Sequence, residues 1–293
     1  MAAPAADETA QRADAERPVA ARPRKPRYAR AGHGVRTQGA CGVGKLQDRI
    51  AVITGSSSGI GRAVAIAYAR EGADVVVNHP TAAEAADARA VVAAVEACGR
   101  VALAVEADVS TEAGAQALYD AAMRRFGRID VLVNNAGIAA ASAVHETSVA
   151  SWDRHVAVHL RSTFLMTRLV LPQMYARDAG RIVNTASQLA YKGAPGFAHY
   201  TAAKGAILSF TRSLALEIGA RGVNVNCVAP GATRTPMTAG LADEIMDAIR
   251  AGIPKGRIAE VDDIVPAYVF LASDESRHFQ GQCLSPNGGD VFL

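Results

Sequence analysis

A parallel β-sheet covered by helices on both faces, an α/β fold in one domain, is predicted by three features of the sequence. From Leu46 onward, short β-branched runs alternate with longer Ala-rich stretches of helical character. That alternation arises when parallel strands are joined by crossovers that pack on the sheet. Half of the 293 residues are hydrophobic but only 5% are aromatic, which suits small side chains packed tightly between helices and a sheet buried on both faces. The first β-branched run also leads directly into a glycine-rich turn and then an amphipathic stretch. No repeat of solenoid length appears.

In chain order the expected strands cover residues 50–53, 74–78, 101–105, 130–133, 181–185, 223–228 and 282–285, each a β-branched run that stops at polar or turn-forming residues. Helices are expected between them, the first with Val64, Ala65 and Tyr68 inward. Asp262 and Asp263 begin the last helix, where their charge complements the helix dipole. Residues 1–45 are rich in Ala, Arg, Pro and Gly without apolar periodicity, so they bury too little surface to offset ordering entropy, and disorder is expected. They read as a nonessential extension, a targeting peptide or an anion-binding arm, with four acidic residues weakening the targeting option. The folded domain is expected over residues 46–293.

Charge and cysteine content exclude several function classes. Nine Lys and Arg residues against four acids precede Leu46, so the overall charge of +3 leaves the body slightly acidic, without the wide basic surface that a nucleic-acid ligand needs. Cys41, Cys98, Cys227 and Cys283 are scattered, with no spacing that suggests a zinc site or a disulfide frame, and the expected home is the cytoplasm. No membrane span or secretory signal is visible, so neither a membrane partner nor a bound metal is expected.

Thr54-Gly55-Ser56-Ser57-Ser58-Gly59-Ile60-Gly61 joins the first strand to the first helix. Glycines there let the backbone approach a pyrophosphate, and the free N–H groups of the helix start stabilise its charge. A glycine pattern alone would be a flexible turn, but here strand, turn and helix come in the required order. The T-G-x-x-x-G-I-G spacing resembles the short-chain dehydrogenase/reductase family, especially its 3-oxoacyl-[acyl-carrier-protein] reductases and glucose dehydrogenases, and the resemblance runs from about Leu46 to the C-terminus.

That resemblance implies a Rossmann fold with seven parallel strands in the order 3-2-1-4-5-6-7, and a nicotinamide cofactor held by Gly55, Ser57, Ser58, Gly59, Ile60 and Gly61. The end of strand two meets the adenosine ribose, where a carboxylate favours NAD. Asn78 and His79 stand there instead, His79 aligning with the family's NAD-type Asp. The missing acid favours NADP(H) over NAD(H), although Ser58 stands where many NADP-using members carry a basic residue. Asp108 and Val109 are placed by resemblance near the adenine. Asn134-Asn135-Ala136-Gly137 holds the central sheet together in the family, while Asn135, Ala136 and Gly137 line the cleft. Pro230-Gly231-Ala232-Thr233-Arg234-Thr235 resembles the turn that brings Thr233 and Thr235 to the nicotinamide carboxamide and nearby phosphate.

Tyr200 and Lys204 are four residues apart in a helical stretch and project from one face. Such pairs are common, but Ser187 lies thirteen residues before the tyrosine, the family's own separation. Hydride reaching a carbonyl carbon makes an alkoxide that must take a proton at once. Tyr200 would supply it, Lys204 would favour the phenolate and hold the nicotinamide ribose, and Ser187 would hydrogen-bond the substrate oxygen. The family's fourth member is usually an Asn supporting a water chain, and His159 occupies that position. The hydroxyacyl-CoA dehydrogenase parts of peroxisomal multifunctional enzymes are similar in carrying histidine there. His159 either sustains the relay or is a satisfied core histidine.

The resemblance implies an oxidoreductase acting on a small-molecule ketone or secondary alcohol. A 3-oxoacyl thioester leads, with a polyol, sugar or cyclic alcohol as alternatives. A nucleotide sensor or scaffold without chemistry is the alternative of another class, opposed by the intact Ser187, Tyr200 and Lys204. Gln188, Tyr191 and Phe197 are expected near the reacting centre, with Gln188 touching substrate. Residues 232–257 are expected to form a lid, with a helical pair between Pro236 and Lys255. The ending Ser285-Pro286-Asn287-Gly288-Gly289 resembles a tail buried between subunits, implying a homotetramer or homodimer.

Overall fold

The computed structural model describes residues 44–292, so the expectation for residues 1–45 falls outside the described residues except at Gly44 and Lys45. Seven strands, β1 (Ile50–Ile53), β2 (Asp74–His79), β3 (Ala102–Glu106), β4 (Val131–Asn134), β5 (Gly180–Thr185), β6 (Val223–Val228) and β7 (Cys283–Leu284), form one sheet in the order β3-β2-β1-β4-β5-β6-β7. All six pairings are parallel. The Rossmann architecture and its strand order are therefore as expected, with boundaries differing by one or two residues.

Strand alternation assigns the apolar residues to two layers. Ala51 and Ile53 face a cluster with Val64, Tyr68, Val91, Tyr268 and Leu271, drawn from α1 (Gly59–Arg70), α2 (Ala85–Glu96) and α9 (Val261–Ala272). Val52 faces the opposite cluster with Leu118, Met166, Val170 and Leu214, drawn from α3 (Glu112–Phe126), α5 (Ser162–Ala176) and α7 (Ala198–Ile218). Burial on both faces explains why these strands read as unbroken apolar runs rather than as alternating ones.

Polar groups fix the edges of the sheet. Asp130, buried below β4, accepts hydrogen bonds from Ile50 N at 2.8 Å, Arg128 Nε at 2.9 Å and Arg177 Nη1 at 2.5 Å. At the opposite ends, Asn134 Nδ2 donates to Asn184 Oδ1 at 2.8 Å and Asn184 Nδ2 to Thr211 Oγ1 at 2.9 Å, tying β4, β5 and α7 together. The last long helix begins with a capping box between Glu260 and Asp263, which explains the acidic start read from the sequence.

Two elements differ from expectation. The helix expected around Trp152–Leu160 is α4 (Val149–Val156), a five-residue π turn at Ala157–Arg161, and then α5. Ser162 Oγ donates to Val158 O and Thr163 Oγ1 to His159 O, drawing on carbonyls of the widened turn. Between Pro236 and Lys255 there is one helix, α8 (Asp243–Gly252), rather than a pair. Thr238 explains the missing first helix, because its hydroxyl bonds Thr235 N and the carbonyls of Thr233 and Thr235, closing a turn. Among the described residues, no helix is long and apolar enough to cross a membrane.

Candidate active site

The glycine turn rises from the C-terminal end of β1 into α1. Gly55 has φ +59°, and a Cβ there would lie 2.9 Å from Ala136 Cα; at Gly61 it would lie 2.4 Å from Gly55 O and 2.5 Å from Asn135 Nδ2. Larger side chains are excluded by this packing, which holds the turn against the segment after β4. Asn135 Nδ2 donates to the carbonyls of Thr54 and Gly55 at 3.0 Å each, while Thr54 Oγ1 accepts from the backbone N–H groups of Asn135 and Ala136. The α1 N-cap, Ser58, places no side-chain hydrogen bond on the helix start. Its first N–H groups therefore face the cleft without a side-chain acceptor, an arrangement that fits a dinucleotide pyrophosphate.

A cleft of about 450 Å³ is lined by Ser57, Ser58, Gly59, Thr235 and Pro236, together with Arg62, Arg70 and Arg234. Ser57 Oγ donates to Glu84 Oε2 at 2.6 Å, so a carboxylate also reaches the turn. Asn78 is buried; its Oδ1 accepts from Gly55 N at 3.1 Å and its Nδ2 donates to Ala107 O at 2.9 Å, making it a brace between β2, the turn and β3. His79 Nδ1 lies 2.9 Å from Thr81 O, which fixes the ring against the loop after β2.

Ser187 follows β5, while Tyr200 and Lys204 sit one turn apart near the start of α7. Burial pushes the Tyr200 hydroxyl above its ordinary value of 10, and the nearby Ser187 hydroxyl pulls the other way. Lys204 is buried beneath the tyrosine, its Nζ 5.8 Å from the ring centroid. That Nζ donates to Thr185 O at 2.7 Å, and burial pulls its pKa down to about 8. Of the influences on the Tyr200 hydroxyl, its burial is the largest.

His159 comes to the same centre from the π turn. Its Nε2 lies 2.8 Å from Ile138 O and its ring 5.2 Å from that of Tyr200, edge to face. Burial first, and then the charge of Lys204, hold its pKa well below the ordinary 6.5. A Cβ at Gly137 would lie 2.8 Å from His159 Cε1, so Gly137 gives the imidazole its room.

Not every expected residue reaches the site. Asp108 is turned to Ser110 N and Arg154, each at 3.0 Å, and these bonds keep its carboxyl low against the opposing effect of burial. The Val109 side chain lies in the α3 and α5 core, and Ile60 packs against the α1 core. Tyr191 packs with Ile207, Cys227 and Cys283 rather than at the reacting centre, since the four-residue α6 (Leu189–Lys192) turns it toward β6. Gln188 is buried, its Nε2 donating to Asp290 Oδ2 at 2.6 Å and its Oε1 set against the backbone of Gly231. Phe197 does approach Tyr200, with ring centroids 6.2 Å apart. Pro230 O accepts from Gln188 N, and Gly231 packs on Asn287, which anchors the turn after β6. Thr233 Oγ1 is turned inward to Gly231 O, whereas Thr235 covers Gly59.

Sequence reasoning missed Glu84, Arg62, His155, His199 and Asp290. His155 precedes His159 by four residues, so helical spacing was a usable signal for it, whereas His199 is adjacent to Tyr200 and had none. Asp290 pairs with Lys192 at 2.6 Å across 98 residues, with no local signal.

A family model described as Enoyl-(Acyl carrier protein) reductase matches residues 55–290. The (2S)-[(R)-hydroxy(phenyl)methyl]succinyl-CoA dehydrogenase subunit BbsD of Thauera aromatica is 41% identical over 244 residues, 83% of this chain and 97% of that protein. The 3-oxoacyl-[acyl-carrier-protein] reductase FabG of Staphylococcus aureus is 36% identical over 239 residues, 82% of this chain and 96% of its own length. A solved structure from Beutenbergia cavernae, described as a candidate NAD(P)-dependent gluconate 5-dehydrogenase with NADP bound at low occupancy, superposes with a TM-score of 0.78 at 41% identity, covering 83% of this chain and 97% of that one.

Proposed function

Since the chain belongs to the short-chain dehydrogenase/reductase family and is an oxidoreductase, we propose that Ser187, Tyr200 and Lys204 perform its acid–base chemistry on a ketone or secondary alcohol. The observation that carries the reading is the meeting of the three at the C-terminal end of β5, with the Ser187 hydroxyl beside Tyr200 and the Tyr200 ring over Lys204. Gly55, Ser57, Ser58, Gly59, Gly61, Asn135, Ala136 and Thr235 would hold the cofactor, which supplies or accepts the hydride when bound. Ser187 orients the substrate oxygen, and Tyr200 gives it a proton as negative charge develops there. Lys204 returns a proton to the phenolate; burial brings its pKa to about 8, close to the working range of a general acid.

Substituting Tyr200→Phe tests the assignment, with turnover expected to fall by two orders of magnitude or more while cofactor affinity, read by nicotinamide fluorescence, stays within about twofold. Turnover near wild type would remove Tyr200 from the chemistry.

The leading substrate is a 3-oxoacyl thioester or the matching hydroxyacyl thioester. Two relatives named for thioester chemistry support it, as do the exposed apolar residues Met237 and Ile245 on residues 232–257, which fit a lid over an acyl chain. The gluconate-like neighbour favours a polyol as the second reading. For the cofactor, NADP(H) is supported by Arg62 and Arg70 in the cleft at Ser57 and Ser58, where Arg234 is paired with Glu260 and Asp87 and Asp262 also line the wall. The Glu84 carboxylate on Ser57 favours NAD(H) instead. Titration with NADPH and NADH separates the two. On the NADP(H) reading, Arg62→Ala weakens NADPH binding on the order of tenfold and leaves NADH alone.

Exposed Phe164 on α5 and Leu216 on α7 support a homodimer or homotetramer, to be read by light scattering. The free thiols of Cys98, Cys227 and Cys283 fit a cytoplasmic location.

A further inference from the structure

The chain that follows Ser187 forms a single helical turn, α6, with Gln188 as its N-terminal cap residue. The first amide of the turn faces back to the serine, Leu189 N donating to Ser187 Oγ at 3.1 Å. A hydroxyl carries one proton and two lone pairs, so an oxygen that accepts from Leu189 keeps its O–H free to donate to a substrate oxygen. The direction of that O–H therefore depends on where the Leu189 amide stands. Four residues do not hold a helical turn by themselves, because the dihedrals fixed at nucleation outweigh the few hydrogen bonds gained. The turn needs a grip from outside.

Asp290, in the C-terminal tail, supplies it. Its Oδ2 accepts from Gln188 Nε2 at 2.6 Å, at the start of the turn, and both of its oxygens accept from Lys192 Nζ at 2.6 Å, at the end. One carboxylate thus holds both ends of α6. The Asp290 side chain is 8% exposed, which shields these charge-assisted bonds from the screening that weakens surface pairs. Apolar contacts would anchor the tail as firmly, but only directional bonds fix the rotation of the turn about its own axis. The tail is in turn built to place Asp290. Asn287 Oδ1 accepts from Gly289 N at 2.8 Å and Asn287 Nδ2 donates to Val291 O at 2.7 Å, so the residues on either side of Asp290 are both bonded. Gly288 and Gly289 have φ of +69° and +91°, which admit this tight turn, and they pack on Ile253 and Pro254 beyond α8. Gln188 is also held through its backbone, its N–H donating to Pro230 O at 3.0 Å.

We propose that Asp290 is a positioning residue for the reaction: by holding Gln188 and Lys192 it fixes α6, and through the Leu189 amide it aims the Ser187 O–H at the substrate oxygen. The inference rests on Ser187 acting as proposed above. Asp290 works through Ser187 and exchanges no proton with the substrate. A misdirected Ser187 weakens a bond that strengthens as negative charge grows on the substrate oxygen, so the loss falls on kcat and not on cofactor affinity.

Asp290→Ala in the full-length chain is expected to lower reductive kcat on the order of tenfold and to leave cofactor affinity, read by nicotinamide fluorescence, within about twofold. Asp290→Asn keeps an acceptor oxygen for Gln188 and recovers part of the rate. The discriminating measurement repeats Asp290→Ala in a Ser187→Ala background. With the Ser187 hydroxyl gone, the second change is expected to lower the residual kcat by less than about twofold, whereas a general loosening of the fold lowers it alike in both backgrounds. Should Asp290→Ala fail to fold, Lys192→Met, which releases the far end of α6, carries the same expectation in both backgrounds. Folded variants with wild-type kcat, or equal losses with and without the Ser187 hydroxyl, overturn the proposal. If Ser187→Ala alone leaves turnover unchanged, the reading beneath fails and the proposal with it, and that failure is seen before Asp290 is touched.

Discussion

At the scale of the residue, the site depends on small side chains that leave room for functional ones. Gly137 illustrates this, because His159 lies against the position its Cβ would occupy. Gly137→Ala is expected to cost about 1–3 kcal/mol through overpacking and to lower kcat by displacing the imidazole. His159→Asn, with a smaller side chain at the same position, is expected to recover part of that stability. A double-mutant cycle measured by thermal denaturation checks the coupling, and simple additivity of the two changes would show that Gly137 does not act on His159. Such pairings are hard to read in a sequence. The role of Tyr200 was legible because it depends on spacing to Ser187 and Lys204, whereas the accommodation of His159 by Gly137 depends on a π turn that no local pattern announced. The burial that raises Tyr200 and lowers Lys204 was not legible for a similar reason, since it belongs to the packed core around them.

At the scale of the element, strands and the first helix were readable because each carries its own apolar pattern, while residues 236–242 were not. Residues 236–242 contain Pro236, Gly240 and Thr238, whose hydroxyl closes a turn in place of the expected helix. Asp130 shows how an element boundary is set by contacts beyond its own strand. It was read as the first residue of strand four, but its side chain instead joins the start of β1 to Arg128 and to Arg177 beyond α5. Burial alone would raise its pKa, yet the hydrogen bonds from Ile50, Arg128 and Arg177 bring the net value below the ordinary 3.8. A carboxyl depressed in the folded state contributes stability that is fully present above 3.8 and is lost as pH falls through the folded value. Asp130→Asn should therefore destabilise the protein by about 2–3 kcal/mol near neutral pH and flatten its acid-denaturation profile. Urea melts at neutral and acidic pH measure both effects, and an equal deficit at pH 7 and below pH 3 would contradict the linkage.

At the scale of the whole molecule, the seven-stranded sheet follows from one consistent pattern, whereas the start of the folded body follows from contacts of residues that look like linker. Leu46 is fully buried, and its N–H donates to Glu71 O at 2.9 Å. Lys45 N donates to Glu71 Oε2 at 2.8 Å, and Gly44 packs so closely on the Glu71 backbone that a Cβ has no room. A boundary at residue 46, the one expected from composition, would discard the Gly44 and Lys45 contacts, because composition registers polarity but not a backbone docked on the end of α1. The catalytic and cofactor-binding residues proposed above all lie beyond this boundary, as does the whole of the matched family region. Removal of residues 1–43 is accordingly expected to leave kcat/KM unchanged and to alter stability by less than about 0.5 kcal/mol. Removal of residues 1–46 takes away a buried leucine and the contacts of Gly44 and Lys45, and should cost about 2–4 kcal/mol. Thermal melts and steady-state assays of the two truncations side by side place the boundary, and a folded 44–293 protein that has lost turnover would assign the preceding segment a part in the chemistry.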